Sequence, residues 1–185
     1  GPGILATDTL INNGMEMPAL SPATVKKLKE FIPAEASFSN PMDMVAGAGP
    51  KEFKMTLDAI KKDKRYDSIV PIFVPPVTVN QLEVAENIYQ SLKDTDKTVL
   101  ACFMGAGESS AGIQYLKEHK IPVYIFPEAV AKTLATIHDC LKKASLIYAN
   151  YQGPAFDEAM SELRSGNLDV WVMDADGSDK TRVTN

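Results

Sequence analysis

Ser68-Ile69-Val70-Pro71-Ile72-Phe73-Val74 is the stretch that decides the fold. It is short, almost wholly apolar and rich in β-branched residues, the mark of a strand buried on both sides rather than half exposed. Two further runs of the same kind follow, Thr98-Val99-Leu100-Ala101-Cys102-Phe103 and Pro122-Val123-Tyr124-Ile125-Phe126. Helical periodicity fills the intervals. Leu82, Ala85, Tyr89 and Leu92 share one face after the first strand. Ile113 and Leu116 follow the turn Gly105-Ala106-Gly107, and Pro127 opens a long amphipathic run through Val130, Leu134, Ile137, Leu141 and Ala144. Strand and helix alternating at this spacing predict parallel strands joined by helical crossovers.

Upstream, Gly1-Pro2-Gly3 leads into helix formers that end at Asn13-Gly14, a helix of about three turns with a glycine cap. Ser21-Pro22-Ala23-Thr24 has a capping hydroxyl and a proline at the first helical position, with Val25, Leu28 and Ile32 following at helical spacing until Pro33. Pro50 starts another helix with Phe53, Leu57 and Ile60 on one face. The expected fold is α/β: a flavodoxin-like, doubly wound parallel sheet with helices on both faces. A glycine turn at residue 1 needs something before it, so the first strand of the sheet is expected to be missing. From Ala149 the pattern changes. Gly153-Pro154 and Ser165-Gly166-Asn167 are breaks, and Val170-Trp171-Val172-Met173 is joined through Asp176-Gly177 to Thr181-Arg182-Val183-Thr184, a β-hairpin signal. Residues 1–148 are therefore read as the α/β domain, 149–166 as a linker with a short helix, and 167–185 as a hairpin.

Composition bounds the function. A chain of 185 residues, 45% hydrophobic and 23% charged, is one globular domain with a little left over. A net charge of −5 argues against nucleic acid or an anionic membrane as a partner held by charge. No apolar run approaches the ~20 residues of a membrane span, and the opening residues lack the form of a signal peptide. Cys102 and Cys140 make neither a disulfide framework nor a zinc spacing. The expectation is a cytoplasmic domain.

In doubly wound sheets ligands sit beyond the carboxyl ends of the strands, and four segments have that address. Gly1-Pro2-Gly3 at a helix start could offer backbone N–H groups and a dipole end to an anion, or be a packing turn. Asn40-Pro41-Met42-Asp43 reads first as a turn. Pro75-Pro76-Val77-Thr78-Val79-Asn80 could wall a ligand, while Thr78 or Asn80 caps the next helix. Gly105-Ala106-Gly107-Glu108-Ser109-Ser110 could cradle phosphate through close backbone approach, or simply cap a helix, since Glu108 would repel an anion. No catalytic set emerges. His119 reads as a solvated cation at a helix end, and His138 and Cys140, two apart on a helix, cannot share a metal. Asp174-Ala175-Asp176-Gly177 fails the spacing of a calcium loop. No metal site is expected.

Several segments, in order, resemble the NDP-forming acyl-CoA synthetases. They are Gly-Pro-Gly-Ile-Leu-Ala-Thr-Asp at 1–8, Leu-x-Glu-Phe-Ile-Pro-Ala-Glu-Ala-Ser at 28–37, Asn-Pro-Met-Asp at 40–43, Ile-Phe-Val-Pro-Pro at 72–76, Phe-Met-Gly at 103–105, and the Ile-Pro-Val-Tyr-x-Phe-Pro-Glu wording ending at 128. The likeness is to ADP-forming acetate–CoA ligase, in its second succinyl-CoA-ligase-like flavodoxin domain, over about residues 1–148. It implies the reaction acyl-CoA + ADP + phosphate ⇌ acid + CoA + ATP, through an acyl phosphate and a phosphohistidine carried in a Ser-His-Thr-Gly context that this chain lacks. By resemblance, Gly1, Pro2 and Gly3 would stabilise that phosphohistidine. Pro76, Val77 and Thr78 would help bind the acyl group, with Pro75-Pro76 replacing a glycine pair of the relatives. Asn40, Asp43 and Gly105 would shape the site.

The resemblance also implies partners: CoA-binding and phosphohistidine domains, an ATP-grasp domain or subunit, and a small carboxylic acid or acyl phosphate. CoA, ADP or ATP and Mg would belong to the assembled enzyme, with none bound by this domain alone, and the isolated chain would be inactive. The family places a strand ending in Asn-Ala-Gly before Gly-Pro-Gly, in line with the missing first strand. Residues 166–185 resemble a repeat of the TolB-type propeller, which one hairpin cannot complete. Two other functions fit the same features: an acyl-CoA-sensing domain of a protein lysine acetyltransferase, and a non-catalytic interaction module.

Overall fold

The computed structural model describes residues 1–45, 48–76, 79–107 and 109–150, with the short strands at 171–172 and 181–182; for residues 146–150 and these two strands it describes the backbone alone. Two compact units divide the chain, Gly1–Thr136 and Ile137–Asn185.

In the first unit all strands are parallel. β1 (Ser68–Ile69) pairs with β3 (Thr98–Val99), and β2 (Ile72–Phe73) pairs with β4 (Ala101–Phe103), which in turn pairs with β5 (Val123–Tyr124). The order across the three-stranded part is β2-β4-β5. The expected single strand over 68–74 is thus two pieces, and so is that over 98–103. Pro71 is the reason. Thr98, Leu100, Cys102 and Met104 donate their N–H groups to the carbonyls of Asp67, Ile69, Pro71 and Phe73, so the odd-numbered residues of this strand face the neighbour. Pro71 stands where an N–H should return to the Leu100 carbonyl, and proline has none to give. The ladder breaks there and resumes one rung later.

Side-chain alternation then builds the core. Phe73 and Phe103 lie in register and meet edge to face at 5.3 Å, with Phe53 against Phe73 at 5.6 Å. Around them pack Phe53 and Leu57 of α3 (Pro50–Ile60), Val84, Ala85 and Ile88 of α4 (Gln81–Leu92), and Ile113 and Leu116 of α5 (Ala111–Glu118). Ile72, Cys102 and Tyr124 share a register row and point to the opposite face. Cys102 is fully buried and feels the charge of Glu128. That brings the start of α6 (Pro127–Asn150) to this side. Helices therefore cover both faces.

α1 (Pro2–Asn12) buries Ala6 and Leu10 and ends, as its Asn13-Gly14 wording predicts, with Gly14 in the left-handed region at φ 79°. α2 (Pro22–Leu28) is capped by Ser21, whose Oγ accepts from the Thr24 N–H at 3.0 Å. It stops at Leu28, earlier than the Val25-Leu28-Ile32 spacing suggests. Ile32 stays buried in the following turn, its N–H bonded to the Leu28 carbonyl. In the second unit, β6 (Trp171–Val172) and β7 (Thr181–Arg182) are antiparallel, with Trp171 opposite Arg182 and Val172 opposite Thr181. This is the pairing the hairpin signal predicts; its Asp176-Gly177 turn lies outside the described residues.

Candidate functional site

The carboxyl ends of β2 and β4 lead into the loops before α4 and α5, so two of the four sequence-predicted segments share that end of the sheet. The other two touch one another. A Cβ placed on Gly3, in the first turn of α1, would stand 3.4 Å from the Pro41 ring, so the Asn40-Pro41-Met42-Asp43 loop lies directly against the start of α1. Of the N–H groups of that turn, Ile4 and Leu5 both donate to the Gly1 carbonyl. Pro2 has none. The Gly3 N–H lies in the first turn of the helix and has no intrahelical acceptor.

The Asn40–Asp43 loop is built by its own polar groups. Asn40 Nδ2 donates to the Pro18 carbonyl at 3.1 Å, and Ser37 and Asp43 exchange backbone bonds at 2.9 and 3.2 Å as an antiparallel bridge. Asp43 Oδ1 accepts from the Val45 N–H at 2.9 Å. Both named side chains thus form the turn, as its composition suggests. Val45 itself has φ 60°, a left-handed conformation rare for a β-branched residue.

In the loop after β2, Pro75 and Pro76 are half-buried, and the Val79 N–H closes a turn onto the Pro76 carbonyl. Val77 and Thr78 lie outside the described residues. Asn80 is the cap of α4, its Oδ1 accepting from Leu82 and Glu83. In the loop after β4, Ser110 caps α5 by accepting from Ile113 at 3.5 Å. Gly105 has φ 79° with open space where a Cβ would stand, and Gly107 is equally uncrowded. At 105 glycine supplies the left-handed backbone conformation. Glu108 lies outside the described residues. Segments 1–7, 40–49, 74–81, 104–111 and 125–128 contain no Lys or Arg. The loops after β2 and β4 thus supply backbone groups and helix starts but no cationic side chain of their own.

Other candidate chemistry falls away. Burial, helped by the negative charge of Glu128, pushes the Cys102 thiol up to about 11, which keeps it a neutral core side chain. His119 is not a freely solvated side chain: it is half-buried, stacked on Tyr115 at 4.1 Å with Tyr89 at 4.2 Å, and its Nδ1 lies 2.8 Å from the Tyr115 carbonyl. That nitrogen carries the proton, since the carbonyl only accepts. Among the described residues no three His, Cys, Asp or Glu side chains gather to hold a metal, and no helix is long and apolar enough to cross a membrane.

Two features escaped the sequence reading. A Cβ on Gly112 would meet the Gln81 backbone carbonyl at 2.6 Å, so α4 and α5 cross in close contact there. Gln81 Oε1 is buried without a partner. A glycine inside a helical pattern was the available signal for the first; nothing in the sequence marked the second.

The first unit is thus a parallel, doubly wound α/β domain whose glycine turn and Asn-Pro loop lie together at a helix start, a class of fold that carries ligand sites beyond the carboxyl ends of its strands. Within that class the chain is a member of the Ligase-CoA domain family, which matches residues 1–147. It is 28% identical over 137 residues to acetate–CoA ligase [ADP-forming] I of Archaeoglobus fulgidus, covering 74% of this chain and 19% of that protein. It is 33% identical over 135 residues to acetate–CoA ligase [ADP-forming] II subunit alpha of Pyrococcus furiosus, covering 71% of this chain and 30% of the subunit. The dinucleotide forming acetyl-coenzyme A synthetase 1 of Ca. Korarchaeum cryptofilum, solved with phosphate and ADP, superposes with a TM-score of 0.75 at 22% identity, over 83% of this chain and 33% of that one; this likeness speaks for the fold. The chain thus spans between a fifth and a third of the length of these proteins.

Proposed function

We propose that this chain is the domain of an ADP-forming acyl-CoA synthetase that receives the phosphorylated histidine of another domain and helps enclose the acyl group. The assembled enzyme would catalyse acyl-CoA + ADP + phosphate ⇌ acid + CoA + ATP in the cytoplasm. The observation that carries this reading is the Ligase-CoA match over 1–147 together with relatives named as ADP-forming ligases. CoA, ADP or ATP and Mg then belong to the assembled enzyme, and CoA-binding, phosphohistidine and ATP-grasp partners complete it. Residues 1–148 form the working domain, with 149–166 as linker and 167–185 as an appended hairpin.

In this scheme Gly1, Pro2 and Gly3 present the positive end of α1 to the phosphoryl group. A doubly charged, transferable group suits backbone donors and a helix dipole, which stabilise it without forming a bond that must later break. The Gly3 N–H is the donor best suited to this task. Pro76, Val77 and Thr78 contribute to the acyl wall, stiffened by the two prolines, while Asn40, Asp43 and Gly105 hold the loops in shape.

The test uses inorganic phosphate and the whole chain. Titration followed by backbone amide NMR is expected to shift Gly3, Ile4 and Leu5 ahead of all other amides. Shifts confined to other segments would remove the assigned role. The chain alone is expected to form no ATP from acetyl-CoA, ADP and phosphate, and turnover by it alone would overturn the division of labour.

A further inference from the structure

Val45 is the strained point of the candidate site. Its φ of 60° places a β-branched side chain where only glycine sits comfortably, and at 38% exposure the residue gains little from burial. Something else must hold it, and the structure offers two bonds. The Val45 N–H donates to Asp43 Oδ1 at 2.9 Å, and the Val45 carbonyl accepts from Ala48 at 3.2 Å. The Asp43 backbone is in turn pinned to Ser37, and the same loop sets Pro41 beside Gly3, 3.4 Å from where a Cβ would stand. A continuous chain of contacts therefore runs from the strained residue to the first turn of α1.

We propose that Asp43 is a positioning residue: its carboxylate holds Val45 in the left-handed conformation, and so fixes the Asn40–Val45 loop against the turn whose Gly3 N–H would meet the phosphoryl group. The inference deepens the reading of the previous section and rests on it for the identity of the anion. The role needs an acceptor oxygen at Asp43 and no charge. Asparagine at this position keeps the strut and alanine removes it. Glycine at position 45 adopts the conformation unaided and makes the strut dispensable.

The experiment titrates inorganic phosphate into the whole chain and its variants, with backbone amide shifts and urea midpoints recorded for each. Asp43→Asn is expected to bind like the parent. Asp43→Ala is expected to bind about five- to tenfold more weakly, because releasing Val45 lets the loop drift from Gly3. Asp43→Ala combined with Val45→Gly is expected to recover binding to within about twofold of the parent, a rescue that a general folding role for Asp43 would not give. Parental binding by Asp43→Ala, or a folded double variant that stays weak, would overturn the proposal.

Should Asp43→Ala not fold, the comparison moves to the Val45→Gly background, where removing Asp43 must be silent. Should the parent show no response to phosphate, the phosphoryl reading fails and the strut is judged separately. In that case the Gly3 and Ile4 amide shifts without phosphate must move in Asp43→Ala and return in the double variant.

Discussion

Lys120 and Gly14 occupy the same place at the ends of two helices. After α5 the Ile121 N–H reaches back to the Leu116 carbonyl and the Lys120 N–H to Lys117; after α1 the Met15 and Gly14 N–H groups bond Leu10 and Ile11 in the same pattern. Both ends need a left-handed residue, at φ 61° and 79°. Glycine fills one and lysine the other, so Lys120→Gly is expected to raise stability by about 0.5–1 kcal/mol, while Gly14→Ala lowers it by about 1 kcal/mol. Urea unfolding checks both, and a less stable Lys120→Gly would mean that this end is not built as described. Asp63 is the other residue whose environment makes a prediction. Burial by itself would raise its pKa, but bonds from Ser21, Thr24 and the Arg65 backbone and side chain outweigh that and hold it below the usual carboxylate range. A lowered folded value means stability present above the unfolded pKa and lost as pH falls through the folded one. Asp63→Asn leaves one oxygen to do the work of two and is expected to cost about 2 kcal/mol at neutral pH. The gap from the parent should narrow on acidification below about pH 4, and a gap that widens there would contradict the assignment.

At the scale of elements, the legible features were those written in local chemistry. Ser21-Pro22, Gly49-Pro50 and Phe126-Pro127 mark helix starts, and α2, α3 and α6 begin there. The β-branched runs mark the strands, since the alternation that buries Phe73 and Phe103 on one side and Cys102 on the other needs apolar residues on both faces. What could not be read was set by the neighbour. Pro71 interrupts the ladder because its missing N–H falls on the side facing β3 and β4, and the sequence does not say which side that is. Gly112 is the same kind of case. It looks like an ordinary helix-interior glycine until α4 is placed across it, with the Gln81 carbonyl 2.6 Å and the Phe103 ring 3.2 Å from any added Cβ. The nearer atom is backbone and cannot swing away, so Gly112→Ala must push the two helices apart. The expected loss is about 2–3 kcal/mol, despite alanine's better helix propensity. A neutral or stabilising result in thermal unfolding would show that the crossing has slack.

For the whole molecule, the parallel sheet and its coverage on both faces were legible. The loop geometry was not, because the contact of Pro41 with Gly3 and the left-handed Val45 join residues far apart in sequence or in conformations that composition does not reveal. How firmly the sheet closes as a unit can be asked of its two thiols. Cys102 stands in the central strand of β2-β4-β5, wholly buried, whereas Cys140 on α6 is exposed. With its pKa raised to about 11, Cys102 would be thiolate in only about one molecule in a thousand at pH 8, even if a reagent could reach it. Reaction at Cys140 should therefore be complete before Cys102 begins, and Cys102 should label only through opening of the sheet. Its rate should rise steeply with urea, with a slope close to that of global unfolding, because both faces must be uncovered before the sulfur is free. Cys140 should show almost no such dependence. Equal rates at the two thiols in the absence of urea would mean that the centre of the sheet opens locally, without unfolding the helices that cover it.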